Sequence, residues 1–194
     1  MTDTPIDLLL SRHSVAVRRL GGPGPDQQQT DQILCAALTA PDHAALRPWR
    51  VVVIGRDARS DLADLFIAAK RKRQAELTDA EAGRERDKAL RPPLLVAMVA
   101  RPQRLHATVT EAEQLACAGA AMQNMLLAAH FLGFGAIILS GARCEDTEIR
   151  SALGIAPDEH FLGFISVGSI VDAPLKGRRP ALAEMATHLD RTMR

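Results

Sequence analysis

Four short stretches carry most of the side chains able to do chemistry. Ser11-Arg12-His13-Ser14 follows the first apolar run. Its guanidinium, imidazole and hydroxyls form a cluster of donors suited to a phosphate or a polyol chain, with Arg12 able to grip two oxygens at once. The same cations would equally complement a helix end, an effect of about 0.3–1 kcal/mol. In "TAPDHAALRPW" (Thr39 to Trp49) an imidazole, a carboxylate, a guanidinium, two prolines and the only tryptophan crowd one connection between apolar elements. Asp42 and His43 are adjacent, so neither can act as base and orienter for the other. A polar loop between rigid elements is nevertheless how a scaffold builds one wall of a binding site. "AIILSGAR" sets Ser140 and Gly141 just past the carboxyl end of a strand. Ligands settle at such ends in layered folds, and glycine lets a planar molecule approach the backbone, although an ordinary turn fits too. "LKGRRP" gathers Lys176, Arg178 and Arg179 as a phosphate clamp or a solvated basic turn.

Bulk properties narrow what these groups could serve. The chain of 194 residues suffices for one compact domain with a real core. With 24 Lys plus Arg against 23 Asp plus Glu, no net field favours nucleic acid. Aromatic content of 3% without tyrosine leaves few platforms for base stacking, so a small molecule is the expected partner. Cys35, Cys117 and Cys144 are three, far apart and without CxxC spacing, which argues against disulfides and structural zinc and for thiols in a reducing cytoplasm. The N-terminus does not read as a secretory signal, and no apolar run approaches the roughly 20 residues of a membrane helix. Nucleotide loops of the GxGxxG and GxxxxGK[ST] kinds are absent, as are HExxH and GxSxG.

The elements that must position the polar groups follow from periodicity and breakers. A short helix is expected over Pro5–Ser11 with Ile6, Leu9 and Leu10 on one face, and "GGPGPD" then breaks the chain. Thr30 or Asp31 can cap a second helix carrying Ile33, Leu34, Ala37 and Leu38, which ends at Pro41. "RVVVIG" (50–55) suggests a strand buried on both faces. Residues 57–90 are helix-prone, and their charged part, 70–91, with interleaved signs, suggests a solvated helical excursion or a mobile flap. "PPLLVAMVA" (92–100), "FGAIIL" (134–139) and "HFLGFISVG" (160–168) are further strands. "EAEQLACAGAAMQNMLLAAHFL" (111–132) is a helix apolar around most of its circumference, hence central, and 145–154 is a short helix. Beyond Gly168 an extended arm and a terminal helix are expected. This order gives an α+β or α/β layered domain.

Taken in order, "SRHS", "APDHAALRPW", "EAEQLACAGAAMQNMLLAAHFLGFGAIILSGA" and "FLGFISVGS" resemble the FMN-dependent nitroreductase family over most of the chain. The resemblance is to the compact branch with the Ala-Pro-Asp-His form of the second motif. It implies a single α+β domain over residues 1–194, a central, mostly antiparallel sheet of four or five strands flanked by helices, and a homodimer whose C-terminal arms cross. Two FMN molecules would lie in the interface. By match of motif, Arg12, His13 and Ser14 would meet the FMN phosphate, ribityl chain and pyrimidine edge. Thr39, Pro41 and His43 would line the flavin from across the interface, and Ile138, Leu139 and Ser140 would run along the ring. Lys176 or Arg179 would contact phosphate. NAD(P)H would reduce the flavin at N5, and a nitroaromatic or quinone-like acceptor would then take its place, with no catalytic side chain required. The sequence departs from the family where His13 stands for a common arginine, where Asp42 and Ala45 stand for a serine and an asparagine, and where Arg47 stands for a glutamine. Ile138 and Leu139 stand for the compact branch's tryptophan and arginine. These departures leave open a flavin-binding module without nicotinamide-dependent activity.

Overall fold

The computed structural model describes residues 4–173 and 177–189. Four helices start on the same device, in which a cap residue and the side chain three positions on satisfy each other's backbone N–H groups. Thr4 with Asp7 opens α1 (Pro5–Ser11), and Asp26 with Gln29 opens α2 (Gln27–Ala36). Thr78 with Glu81 opens α4 (Asp79–Leu90), and Thr110 with Glu113 opens α5 (Glu111–Phe131). The cap of α2 is therefore Asp26, one turn earlier than Thr30 or Asp31, because Gln29 can return the hydrogen bond. Between α2 and α4 lie β2 (Trp49–Val53) and α3 (Arg59–Arg71), and a two-residue strand, β1 (Leu20–Gly21), precedes α2. The remaining elements are β3 (Leu94–Ala100), β4 (Gly135–Leu139), α6 (Thr147–Ala152), β5 (His160–Ile170) and α7 (Leu182–Met185).

All strand pairings are antiparallel. β5 is the hub, paired with β3, with β4 and, at its end, with β1, while β2 joins through β3. Every residue of β3 is buried because helices cover both faces. Leu94, Val96, Met98 and Ala100 point toward α2 and α5 with Ile33, Met125 and Ile165. Leu95, Ala97 and Val99 point the other way into Leu62, Phe66, Ala89 and Ile149. Phe164 stacks edge-on with Phe66 and Phe161 at centroid distances of 5.0 and 4.9 Å, fixing that second layer.

Two expectations need refinement. β2 meets both layers, Trp49 and Val51 on one face and Val52 and the following Ile54 on the other, but it lies at the sheet's edge, paired only with β3, and Val53 at its end is 47% exposed. Its Val run signalled a central strand, but the chain places it at an edge. Of the two readings of the charged segment, a helical excursion or a mobile flap, the helix is the one found, although it is packed and not merely solvated. α4 packs side by side with α3, buries Ala89 and Glu85, and is tied by an Arg86–Asp64 ion pair. Most of its charges face outward, while Ala89 and a Glu85 paired with Lys88 and Arg143 turn inward, so a high overall polarity conceals a packed face. No helix among the described residues is long and apolar enough to cross a membrane.

Candidate functional site

The first polar segment leaves α1 in extended conformation, since Arg12 has ψ 132°. Ser11 Oγ donates to the Leu8 carbonyl at 2.9 Å. With its only hydrogen spent there, the hydroxyl can only accept from His130 Nε2, 3.0 Å away, which fixes a proton on that nitrogen. The His13 Nδ1–H donates to the Ser11 carbonyl at 3.0 Å. His13 Nε2 is then left buried without a partner among the described residues, an arrangement that a bound polar group would complete. Burial holds the His130 imidazole below its ordinary pKa of 6.5, the Leu8 carbonyl pulls the other way, and His13 and Arg12 add repulsion. His130 was not singled out in the sequence, where it looks like any basic residue in a helix's last turn.

Two bonds carry this segment to its neighbours. The Val15 N–H donates to the Ala136 carbonyl at 3.0 Å, seating the segment beside β4. The Arg179 guanidinium bonds the Arg12 carbonyl, so a cation from the C-terminal arm joins the cluster. Lys176 lies outside the described residues. Because the Ala136 carbonyl points away from β5, the pleat turns the N–H and C=O of Ile138 outward as well, two residues on. This leaves a stretch of sheet edge open beyond the point where Val15 meets Ala136, and Ile137 and Leu139 in turn share a cleft with Ala16, Val17 and Arg18. The side chains of Ile138 and Leu139 diverge, the first toward α2 and α5 and the second toward α3 and α4. What these two residues and Ser140 can offer one ligand together is therefore the strand's backbone rim. Gly163, with φ 139°, permits that rim: a Cβ there would stand 2.8 Å from the Leu139 carbonyl oxygen.

The second segment sits elsewhere on α5. Thr39 Oγ1 donates to the Ala36 carbonyl at 2.8 Å and accepts from Asn124 Nδ2 at 3.0 Å. His43 Nδ1 lies 3.4 Å from Glu113 Oε1, and Glu113 also caps α5. The Thr110 backbone and hydroxyl, then His43, hold that carboxyl below its ordinary range. Asp42 accepts from the N–H groups of Leu46 and Arg47 at 3.2 and 2.7 Å. Ala44, Ala45 and Arg47 adopt left-handed φ values of 61°, 52° and 49°. Conformations of that kind cost on the order of 1–3 kcal/mol each and gather where geometry serves a site. Pro41 is exposed, whereas Trp49, 7% exposed, anchors the segment in the core. From Glu113 to His130 the helix rises about 25 Å. Within one chain, then, Arg12, His13, Ser14 and Arg179 share one cluster, which Val15 joins to β4 at Ala136 rather than at Ile138–Ser140, while Thr39, Pro41 and His43 form a separate wall.

Chemically, the first wall combines two guanidiniums, an imidazole nitrogen in need of a partner, a serine hydroxyl and a free backbone edge. Such a set fits a ligand with an anionic end and a planar hydrogen-bonding body, which describes FMN. No cluster of metal-ligating side chains occurs among the described residues.

Comparison with known proteins agrees with this chemistry. Residues 9–169 match the sequence profile of the "Nitroreductase family". The Escherichia coli (strain K12) protein named "Putative NAD(P)H nitroreductase YdjA" is 34% identical over 167 residues, covering 84% of this chain and 87% of that protein. Among solved structures, a nitroreductase-like family protein from Bacillus cereus superposes with TM-score 0.78 at 18% identity, covering 98% of each chain. A Desulfovibrio desulfuricans structure, a "putative nitroreductase in complex with fmn", gives TM-score 0.73 at 25% identity, covering 99% of this chain and all of that one.

Proposed function

The chain belongs to the nitroreductase family, and from that premise we propose that it is an FMN-dependent oxidoreductase, acting as a homodimer with the flavin between subunits. The observation that carries this reading is the buried His13 Nε2, without a partner among the described residues, in a segment that also holds Arg12, is bonded by Arg179 and is seated on β4 through Val15. FMN held there would supply the redox chemistry for passing electrons from NAD(P)H to a nitroaromatic or quinone-like acceptor. The residues hold and bias that group. Arg12 and Arg179 offer charge to phosphate or to the edge of the ring where negative charge gathers on reduction. His13 and Ser14 offer side-chain hydrogen bonds, and Ile138, Leu139 and Ser140 offer the backbone rim.

The second wall is supplied by the other subunit, which brings Thr39, Pro41 and His43 to the same cofactor. Support comes from what one chain leaves uncovered. Ala112, Ala116, Gly119 and Gln123 form an exposed stripe of mostly small residues along α5. Phe131 at its end and Ile6, Leu9 and Leu10 of α1 are exposed large apolar side chains. Contiguous apolar surface of this kind marks an association site, and helices whose facing residues are small can approach closely.

The spectrum of the purified full-length chain tests the proposal. It should show flavin absorbance that bleaches on addition of NADH or NADPH and returns with menadione or nitrofurazone. A colourless protein that takes up no added FMN overturns it. Retained flavin that neither nicotinamide reduces would instead identify a binding module of the same fold.

A further inference from the structure

The cleft beside the second wall has a volume of about 690 Å³ and is lined by Leu38, Ala40, Asp42, Ala45, Arg47, Trp49 and Arg101. Its charge is lopsided. The Asp42 carboxylate is spent on the backbone N–H groups of Leu46 and Arg47. Glu159, whose carboxyl feels the charge of Arg101, is held bidentately by Arg50 at 2.7 Å on each oxygen. Among the described residues neither the Arg47 nor the Arg101 guanidinium has an ion-pair partner. Both are exposed at the cleft, on either side of Pro48–Trp49. The Arg101 N–H donates to the Pro48 carbonyl at 2.9 Å, so its backbone is fixed against that dipeptide. On the other side, the left-handed turn at Ala44, Ala45 and Arg47 holds Arg47 at the rim.

We propose that Arg47 and Arg101 make this cleft an anion-selecting subsite, which binds a carboxylate or phosphate carried by a planar, partly apolar molecule. Two guanidiniums above an apolar floor of Leu38, Ala40 and Trp49 match such a molecule, since the ring packs while the charge is gripped by fixed forks. The proposal rests on the oxidoreductase reading for the origin of the anion, either an acceptor bearing a carboxylate or the phosphate of the nicotinamide donor. The cleft itself is built from one chain and exists whether or not that reading holds.

Trp49 is the chain's only tryptophan and lines the cleft, so its fluorescence reports occupancy without any turnover. Titration of the full-length protein with benzoate should change that emission at concentrations at least about tenfold below those needed for benzamide, as expected for hydrogen bonds to a charged group. Arg47→Gln and Arg101→Gln should each abolish most of that preference, and the corresponding lysine variants should restore part of it. In turnover, the ratio of kcat/KM for 4-nitrobenzoate over 4-nitrobenzamide should fall about tenfold if the anion belongs to the acceptor. A fall in the NADPH over NADH ratio would assign it to the donor. Equal binding of benzoate and benzamide to the native protein, or a preference that survives both glutamine variants, overturns the subsite. A protein that shows the preference yet holds no flavin would overturn the proposed function and leave the subsite standing.

Discussion

The two walls of the candidate site are built on opposite principles. The first is assembled from distant parts of one chain: α1 delivers Arg12 and His13, β4 the backbone rim, α5 His130 and the arm Arg179, each tied by a hydrogen bond. The second is one continuous loop, stiffened locally by Asp42 and by three left-handed residues, with its polar side chains facing outward. A wall with an unsatisfied buried nitrogen is waiting for a ligand. A wall that is exposed and locally self-sufficient is waiting for a second surface. The difference argues that cofactor affinity resides mainly in the first and that the second contributes through subunit association.

The most severe way to break this comparison is to keep both walls intact and stop them meeting. A Cβ added at Gly119 would touch nothing within 4 Å in the single chain. Gly119→Ala should therefore stabilise an isolated subunit by roughly 1 kcal/mol through helix propensity alone. If α5 faces α5 across an interface, Gly119→Arg should yield a folded monomer by light scattering that retains essentially no flavin. A flavin-loaded monomer would mean that one wall suffices.

A smaller effect separates the walls themselves. Arg12→Ala should weaken FMN retention by about 1.5–3 kcal/mol, roughly 10- to 150-fold in Kd, the range for hydrogen bonds to a charged group. His43→Ala should cost less than tenfold, because His43 is exposed and its link to Glu113 at 3.4 Å is a surface pair of the kind that contributes about 0–1 kcal/mol. Flavin titration of both variants checks the ranking. The reverse order would put the affinity in the loop.

How much of this could be read from residues alone differs between the walls in the same way. The second is contiguous, so its density of polar groups between apolar elements is visible in eleven letters. Arg12, His13 and Ser14 are visible too, but their connection to Arg179 and to the edge of β4 is long-range and leaves no spacing to detect. The strand periods predicted β3, β4 and β5 well because burial dictates apolar runs. β1, two residues long, has too little sequence to show a period. The edge position of β2 was not legible, because a β-branched run does not reveal whether one neighbour or two will pair with it. The helix over the charged segment is legible, but its packing on α3 is not, because its buried residues are Glu85 and Ala89, which carry little hydrophobic signal among so many charges.

The smallest expected effect concerns acid. The His130 imidazole is held below its ordinary 6.5, first by burial and then by His13 and Arg12, so the folded state prefers it neutral. A folded pKa below the unfolded one means that its stabilising contribution is complete above about pH 6.5 and is lost as the pH falls through that value toward the folded pKa. Protonation at Nδ1 would leave the Nε2–H donor to Ser11 in place but set a further positive charge beside Arg12 in a partly buried site, loosening the first wall alone. The thermal midpoint should therefore decline between pH 7.5 and 5 by a component no larger than about 2–4 °C, what about 1 kcal/mol produces in a chain this size. His130→Gln keeps a donor for Ser11 and cannot titrate, so it should remove that component. His43→Gln, in the other wall, should leave it in place. If the histidine whose replacement flattens the profile is His43, the acid-sensitive contact lies in the loop, and the division of labour between the walls is the reverse of the one argued.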